Sequence, residues 1–142
     1  MITVDEFKNL CERMDESLKI IVPLEENEKY TKEEVSQAKS GLCSTIFELL
    51  VAKTFDADLS DEEYERFDLI CDIAQQTIDK ILYLDYVNSK IADPNYVGQV
   101  NKDQLRDIVK KGEFQLELNY KLMRGFVLGV LSFLQRRGIK RY

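Results

Sequence analysis

Residues 60–82 read SDEEYERFDLICDIAQQTIDKIL, and the reading of this stretch decides the fold. Ser60 followed three residues later by Glu63 has the capping-box form. The hydroxyl accepts from an orphan N–H of the first helical turn, and the carboxylate reaches back to the cap residue's own N–H. Tyr64, Phe67, Ile70, Cys71, Ala74, Ile78, Ile81 and Leu82 then recur at three- and four-residue steps, which places them along one face of an α-helix. No Gly or Pro interrupts the pattern before Pro94. The spacing predicts a helix from Asp61 to about Ile91, roughly 45 Å long, with a bend near Tyr83 to Asn88.

The same signals appear on either side. Towards the N-terminus, Thr31 to Glu34 is a second capping box, leading a stripe through Val35, Ala38, Leu42, Ile46, Leu49 and Leu50. Gly41 falls inside that stripe without shifting its phase, so it is read as a close contact between helices. Thr3 to Glu6 is a third box, followed by Phe7, Leu10, Cys11, Met14, Leu18 and Ile21, with Pro23 as the stop. Towards the C-terminus, Asp93 to Gly98 is turn chemistry. Asn101 to Gln104 then caps a short helix through Leu105, Ile108 and Val109 that Gly112 closes. A last helix is predicted from Phe114 to Arg137, with Gly138 as its C′ glycine.

No stretch alternates convincingly with period two, and no internal repeat is present. The expectation is an all-α chain: a single domain over residues 1–142, a helical bundle of four long helices plus one short helix, with the C-terminal helix central. Its core is expected to include Leu10, Met14, Leu18, Leu42, Ile46, Leu50, Phe67, Ile70, Ala74, Ile78, Phe126, Val130 and Phe133.

Composition narrows the chemistry. The 142 residues carry 26 carboxylates against 20 Lys and Arg, for a net charge of −6, and contain no His. Without imidazole, hydrolases that need that base, His-bearing zinc sites and phosphohistidine relays are excluded. A zinc site of thiolates alone needs four; the chain has Cys11, Cys43 and Cys71, widely spaced, which read as small buried hydrophobes. Charges at Asp5, Glu6, Lys8, Glu12 and Arg13 leave no apolar leader, and a cytoplasmic location is expected. No cofactor is expected.

Four features bear on function. Residues 1–70 hold 18 acids and 8 bases, while residues 71–142 hold 8 and 12, so the sign of the charge reverses along the chain. An acidic surface of this kind suits an inhibitor or accessory subunit that docks on a basic partner, but the favoured account is that solvent-facing helix sides are simply acidic. From Lys121 onward there are bases and no acids: Lys121, Arg124, Arg136, Arg137, Lys140 and Arg141. Complementing the helix dipole accounts for the last four; the alternative is a nucleic-acid-associated subunit using Arg136, Arg137, Lys140 and Arg141.

Gly125 and Gly129 form a G-x-x-x-G pair within the most apolar stretch. That pair lets helices approach closely, but the run from Gly125 to Leu134 is well short of the roughly 18 residues that span a bilayer. With Phe114, Leu116, Leu118, Tyr120, Leu122 and Met123 before it, the surplus of apolar surface suggests a face shared with another chain, as in a homo-oligomer. Finally, Glu65, Asp68, Asp72 and Asp79 align on the side of their helix opposite Phe67 and Ile70. They are read as a solvated face. The alternative is a Mg²⁺-dependent all-α enzyme of the nucleoside triphosphate pyrophosphatase type, in which Glu65, Asp68 and Asp72 hold metal. The favoured function is a non-catalytic protein-binding or regulatory module whose partner is a protein.

Overall fold

The computed structural model describes residues 1–22 and 29–139. Among the described residues four α-helices are present: α1 (Val4–Ile21), α2 (Lys32–Lys53), α3 (Asp61–Ala92) and α4 (Lys102–Ile139). The starts predicted at Thr3, Thr31, Ser60 and Asn101 are made, whereas the one predicted at Phe114 is not. Thr3 Oγ1 accepts from the Glu6 N–H, and both partners of the capping box are in place at Thr31 with Glu34 and at Ser60 with Glu63. Asn101 and Gln104 exchange the equivalent pair of bonds at the head of α4. α1 ends at Ile21, two residues before Pro23, which lies outside the described residues together with Lys140 and Arg141.

α1 packs on α2 and α4, and α3 packs on α2 and α4, so the four helices close a ring of neighbours. Short connections between successive helices make the topology up-down-up-down. A two-residue parallel pairing supports it: β1 (Ile2–Thr3) bonds β2 (Ala57–Asp58), which ties the starts of α1 and α3 together at one end of the bundle. That pairing was not legible in the sequence, being too short for any alternation to show.

Two expectations are corrected. The short helix and the last helix are one continuous α4, and its backbone passes through both Gly112 and Gly138 without a positive φ among the described glycines. Gly112 fails to stop the helix because α3 fills the space its side chain would take: a Cβ there would lie 2.5 Å from Leu84 Cδ2. Close helix packing outweighs the roughly 1 kcal/mol helix cost of glycine. Nor is α4 central. It is one wall of the ring, with one face inward and the opposite face in solvent. Gly41, exposed on α2, does lie where α1 comes near: a Cβ there would be 3.4 Å from Ser17 Oγ.

The main core draws on all four helices. Phe7 and Phe67 meet edge to face with ring centroids 5.4 Å apart, in a buried cluster that also includes Met14, Leu18, Leu42, Ile46 and Val127. Leu50, Phe126 and Phe133 from the expected core are partly buried at its margin, and the remainder of that set is buried. At 1.5 Å per residue, α1 and α2 are about 27 and 33 Å long, whereas α3 and α4 are about 48 and 57 Å. The longer pair therefore extends past the other two as a two-helix arm. It has a small core of its own, Val87, Leu105 and Val109, with Ile91, Tyr96 and Ile108 packed against it.

Candidate interaction surfaces

α4 presents two apolar faces. With 3.6 residues per turn, buried Leu105, Val109, Tyr120, Met123, Val127, Val130 and Leu134 fall on one arc. Phe114, Leu118, Leu122, Gly125, Leu128 and Gly129 fall on the opposite arc, about 120° wide. The apolar run that the sequence presents as one block is thus divided by the helix into an inner and an outer stripe. On the outer stripe Phe114 is 64% exposed, Leu118 49% and Leu122 50%. Gly125 and Gly129 are exposed too, and a Cβ at either would meet nothing within 4 Å. These two glycines do not serve packing within the chain. They border a shallow depression of about 370 Å³ whose other wall is Glu65, Arg66 and Leu69 of α3.

The basic residues separate into engaged and free ones. Arg124 donates from Nη1 to the Val22 carbonyl at 2.8 Å, closing the C-terminal end of α1. Arg137 faces Glu62 at 3.2 Å and Glu63 at 3.6 Å, pinning the end of α4 to the start of α3. Its guanidinium lies 5.5 Å from the Phe133 ring, which Arg66 also covers at 3.6 Å. Arg136 points to solvent, its Nε only 3.4 Å from its own helix's Ser132 carbonyl, and Lys121 is exposed. Of the residues proposed to touch nucleic acid, the two described ones therefore differ: Arg137 is part of the fold and Arg136 is available.

Glu65, Asp68 and Asp72 line up along α3 as the spacing requires. The structure brings Lys53 of α2 to that row, 2.6 Å from Asp68 Oδ1 and 3.9 Å from Asp72 Oδ1, and the carboxylates in turn hold the lysine's pKa above its ordinary value. The ammonium thus neutralises part of the row. Glu65 borders the α3–α4 depression instead, and Asp79 accepts from Gln75. Among the described residues no group of three carboxylates or thiols is arranged to hold a metal.

A larger groove, about 740 Å³, opens where α2 diverges from the arm, lined by Lys39, Cys43, Asp85, Glu113, Glu117 and Tyr120 among others. The sequence offered no signal for it, since its lining comes from three helices at unrelated spacings. Burial pushes the Tyr120 phenol up to about 12, aided by Cys43 and Asp85, and pushes the Cys43 thiol up as well. Cys11 and Cys71 are core residues, each raised to about 12 chiefly by burial. A thiol so raised stays protonated near neutral pH and is a poor nucleophile.

No protein-family model matches this chain, and no curated protein or solved structure matches it. Among the described residues no helix is long and apolar enough to cross a membrane.

Proposed function

We propose that this chain is a non-catalytic protein-binding module that docks a partner protein on the outer face of α4. The observation that carries the reading is the exposed stripe of Phe114, Leu118 and Leu122 continuing into two glycines with open space above them. Fully burying a Leu or Phe side chain contributes about 1.5–3 kcal/mol, so three half-exposed ones leave several kcal/mol to be gained by covering them. Flanking glycines let a partner helix come close. Tyr120, Met123 and Val127 anchor this part of α4 in the body core, so the stripe stands on a preformed surface, which reduces the ordering cost of docking.

The thiols fit a binding role better than a reactive one, since Cys11 and Cys71 are held protonated in the core. Unpaired thiols also suit the reducing cytoplasm, where we place the module. The Mg²⁺ and nucleic-acid readings draw less support. Lys53 already neutralises the acidic row, and Arg137 is engaged with Glu62 and Glu63.

A photo-crosslinking amino acid at position 118, compared with one at exposed Gln37 of α2, tests the reading in the source cell. Stoichiometric protein adducts are expected at 118 and not at 37. Equal yields at the two positions, or none at 118, would remove α4 as the docking face.

A further inference from the structure

The outer face of α4 is complementary to itself when turned end for end. Place a two-fold axis across the helix between Lys121 and Leu122, and each residue is set against the one equally far beyond the axis on a second, antiparallel copy. Phe114 then faces Gly129 and Leu118 faces Gly125, so each large exposed side chain meets a position with open space where a Cβ would be. The same axis sets Asp107 against Arg136. Both lie on the outer arc: among the described residues exposed Asp107 pairs with its own helix's Lys111 at 3.2 Å, and Arg136 pairs with no carboxylate. Lys111 falls opposite Ser132, which avoids a like-charge pair there.

Size and charge thus select one register together. A parallel pairing offers neither match, because it sets Phe114 on Phe114 and Arg136 on Arg136. A two-fold arrangement repeats every contact twice, which is how isologous dimers gain from a single complementary pair. From Asp107 to Arg136 the matched stretch spans about 44 Å of helix. Lys121, the charged residue beside the axis, carries its head to solvent on a long stem while its methylenes cover Leu122.

We infer that the partner of this face is a second copy of the chain, docked antiparallel through α4 about an axis between Lys121 and Leu122. The inference rests on the docking role of the outer face and names its occupant. The test measures the mass of the purified chain by light scattering across low to high micromolar concentrations. The expected result is reversible conversion from 16.6 kDa to twice that mass. Leu118→Glu should leave a monomer with unchanged helicity, since residue 118 is exposed.

The register is tested by charge reversal. Asp107→Arg alone and Arg136→Asp alone should each weaken the dimer about tenfold, and the double reversal in one chain should restore the dissociation constant to within about threefold of the original. A chain monomeric throughout the range overturns the inference. So does a dimer indifferent to Leu118→Glu, or one in which the two reversals weaken additively with no rescue. Crosslinks at position 118 to a different protein, with the pure chain monomeric, would sink self-pairing while leaving the docking face in place. A monomer without crosslinks at 118 would sink both.

Discussion

The two ends of this molecule are built differently. In the body, four helices enclose a core in which Phe7, Met14, Leu18, Phe67 and Val127 are sealed from water on every side. In the arm, among the described residues, α3 meets α4 over a small core of Val87, Leu105 and Val109, with Leu84 against Gly112 at its start. A two-helix layer has no lid, so its core cannot grow beyond one line of contacts. The body should therefore set the global stability and the arm should open locally. The largest expected effect follows: Phe67→Ala should destabilise the whole chain by about 3–5 kcal/mol in denaturant unfolding. Leu105→Ala should act on the arm alone, speeding hydrogen exchange at amides 102–112 while leaving those at 67–78 unchanged. If Leu105→Ala moves the global unfolding midpoint as far as Phe67→Ala does, body and arm are one cooperative unit and the distinction fails.

Alkaline pH sharpens the same contrast, because the strongly raised thiols belong to the body. Cys11 and Cys71 titrate at about 12 in the folded chain against 9.0 in the unfolded one. Below pH 9 both states hold these protons and stability is flat in this range. Above it the unfolded state releases them while the folded state does not, so folding stability falls towards pH 12 by about 1.4 kcal/mol per pH unit for each thiol. Urea midpoints at pH 8, 9 and 10 should show the downturn, and Cys11→Ala should shallow it by about a third to a half relative to its own value at pH 8, Cys71 and the less strongly raised Cys43 supplying the rest. An unchanged slope in that variant would mean the thiols are not what limits the body at high pH.

Capped helix starts were legible from short range, as were the ends of α1 and α3, but the role of a glycine inside a helix was not. Each Thr or Ser with a Glu three residues on makes its cap within the local chain, so no tertiary information is needed to place it. The inner face of α3 was legible for the same reason: Phe67, Ile70, Ala74 and Ile78 repeat with the helix period. Gly112 was misread as a terminator because its role depends on Leu84, 28 residues earlier and on another helix. The destinations of Arg124 and Arg137 were hidden likewise. A basic cluster near a C-terminus looks the same whether its members reach solvent or, as here, the Val22 carbonyl and the Glu62 carboxylate. As for the candidate site, Gly125 and Gly129 stood out by spacing. Which of the neighbouring apolar residues share their face emerged from burial, and Asp107 joined that face only once α4 was continuous, since a break at Gly112 would have cut it from Phe114.

The smallest expected effect sets two glycines of α4 against each other. Replacing a helix-interior glycine with alanine gains about 0.5–1 kcal/mol by restricting the unfolded chain, wherever the new methyl group fits. At Gly125 it fits, since nothing lies within 4 Å, and Gly125→Ala should raise the thermal midpoint of the monomer by a few degrees. At Gly112 the methyl group would sit 2.5 Å from Leu84 Cδ2, so the leucine must turn away from the start of the arm. The propensity gain is then offset, and Gly112→Ala should come out less stable than Gly125→Ala by about 1 kcal/mol or more. Equal gains at both would show that Leu84 yields freely and that the α3–α4 crossing is looser than its geometry implies. Concentration separates the remaining consequence. A methyl group at position 125 would stand where Leu118 of an antiparallel copy must enter, so the variant that stabilises the monomer should also weaken its self-association.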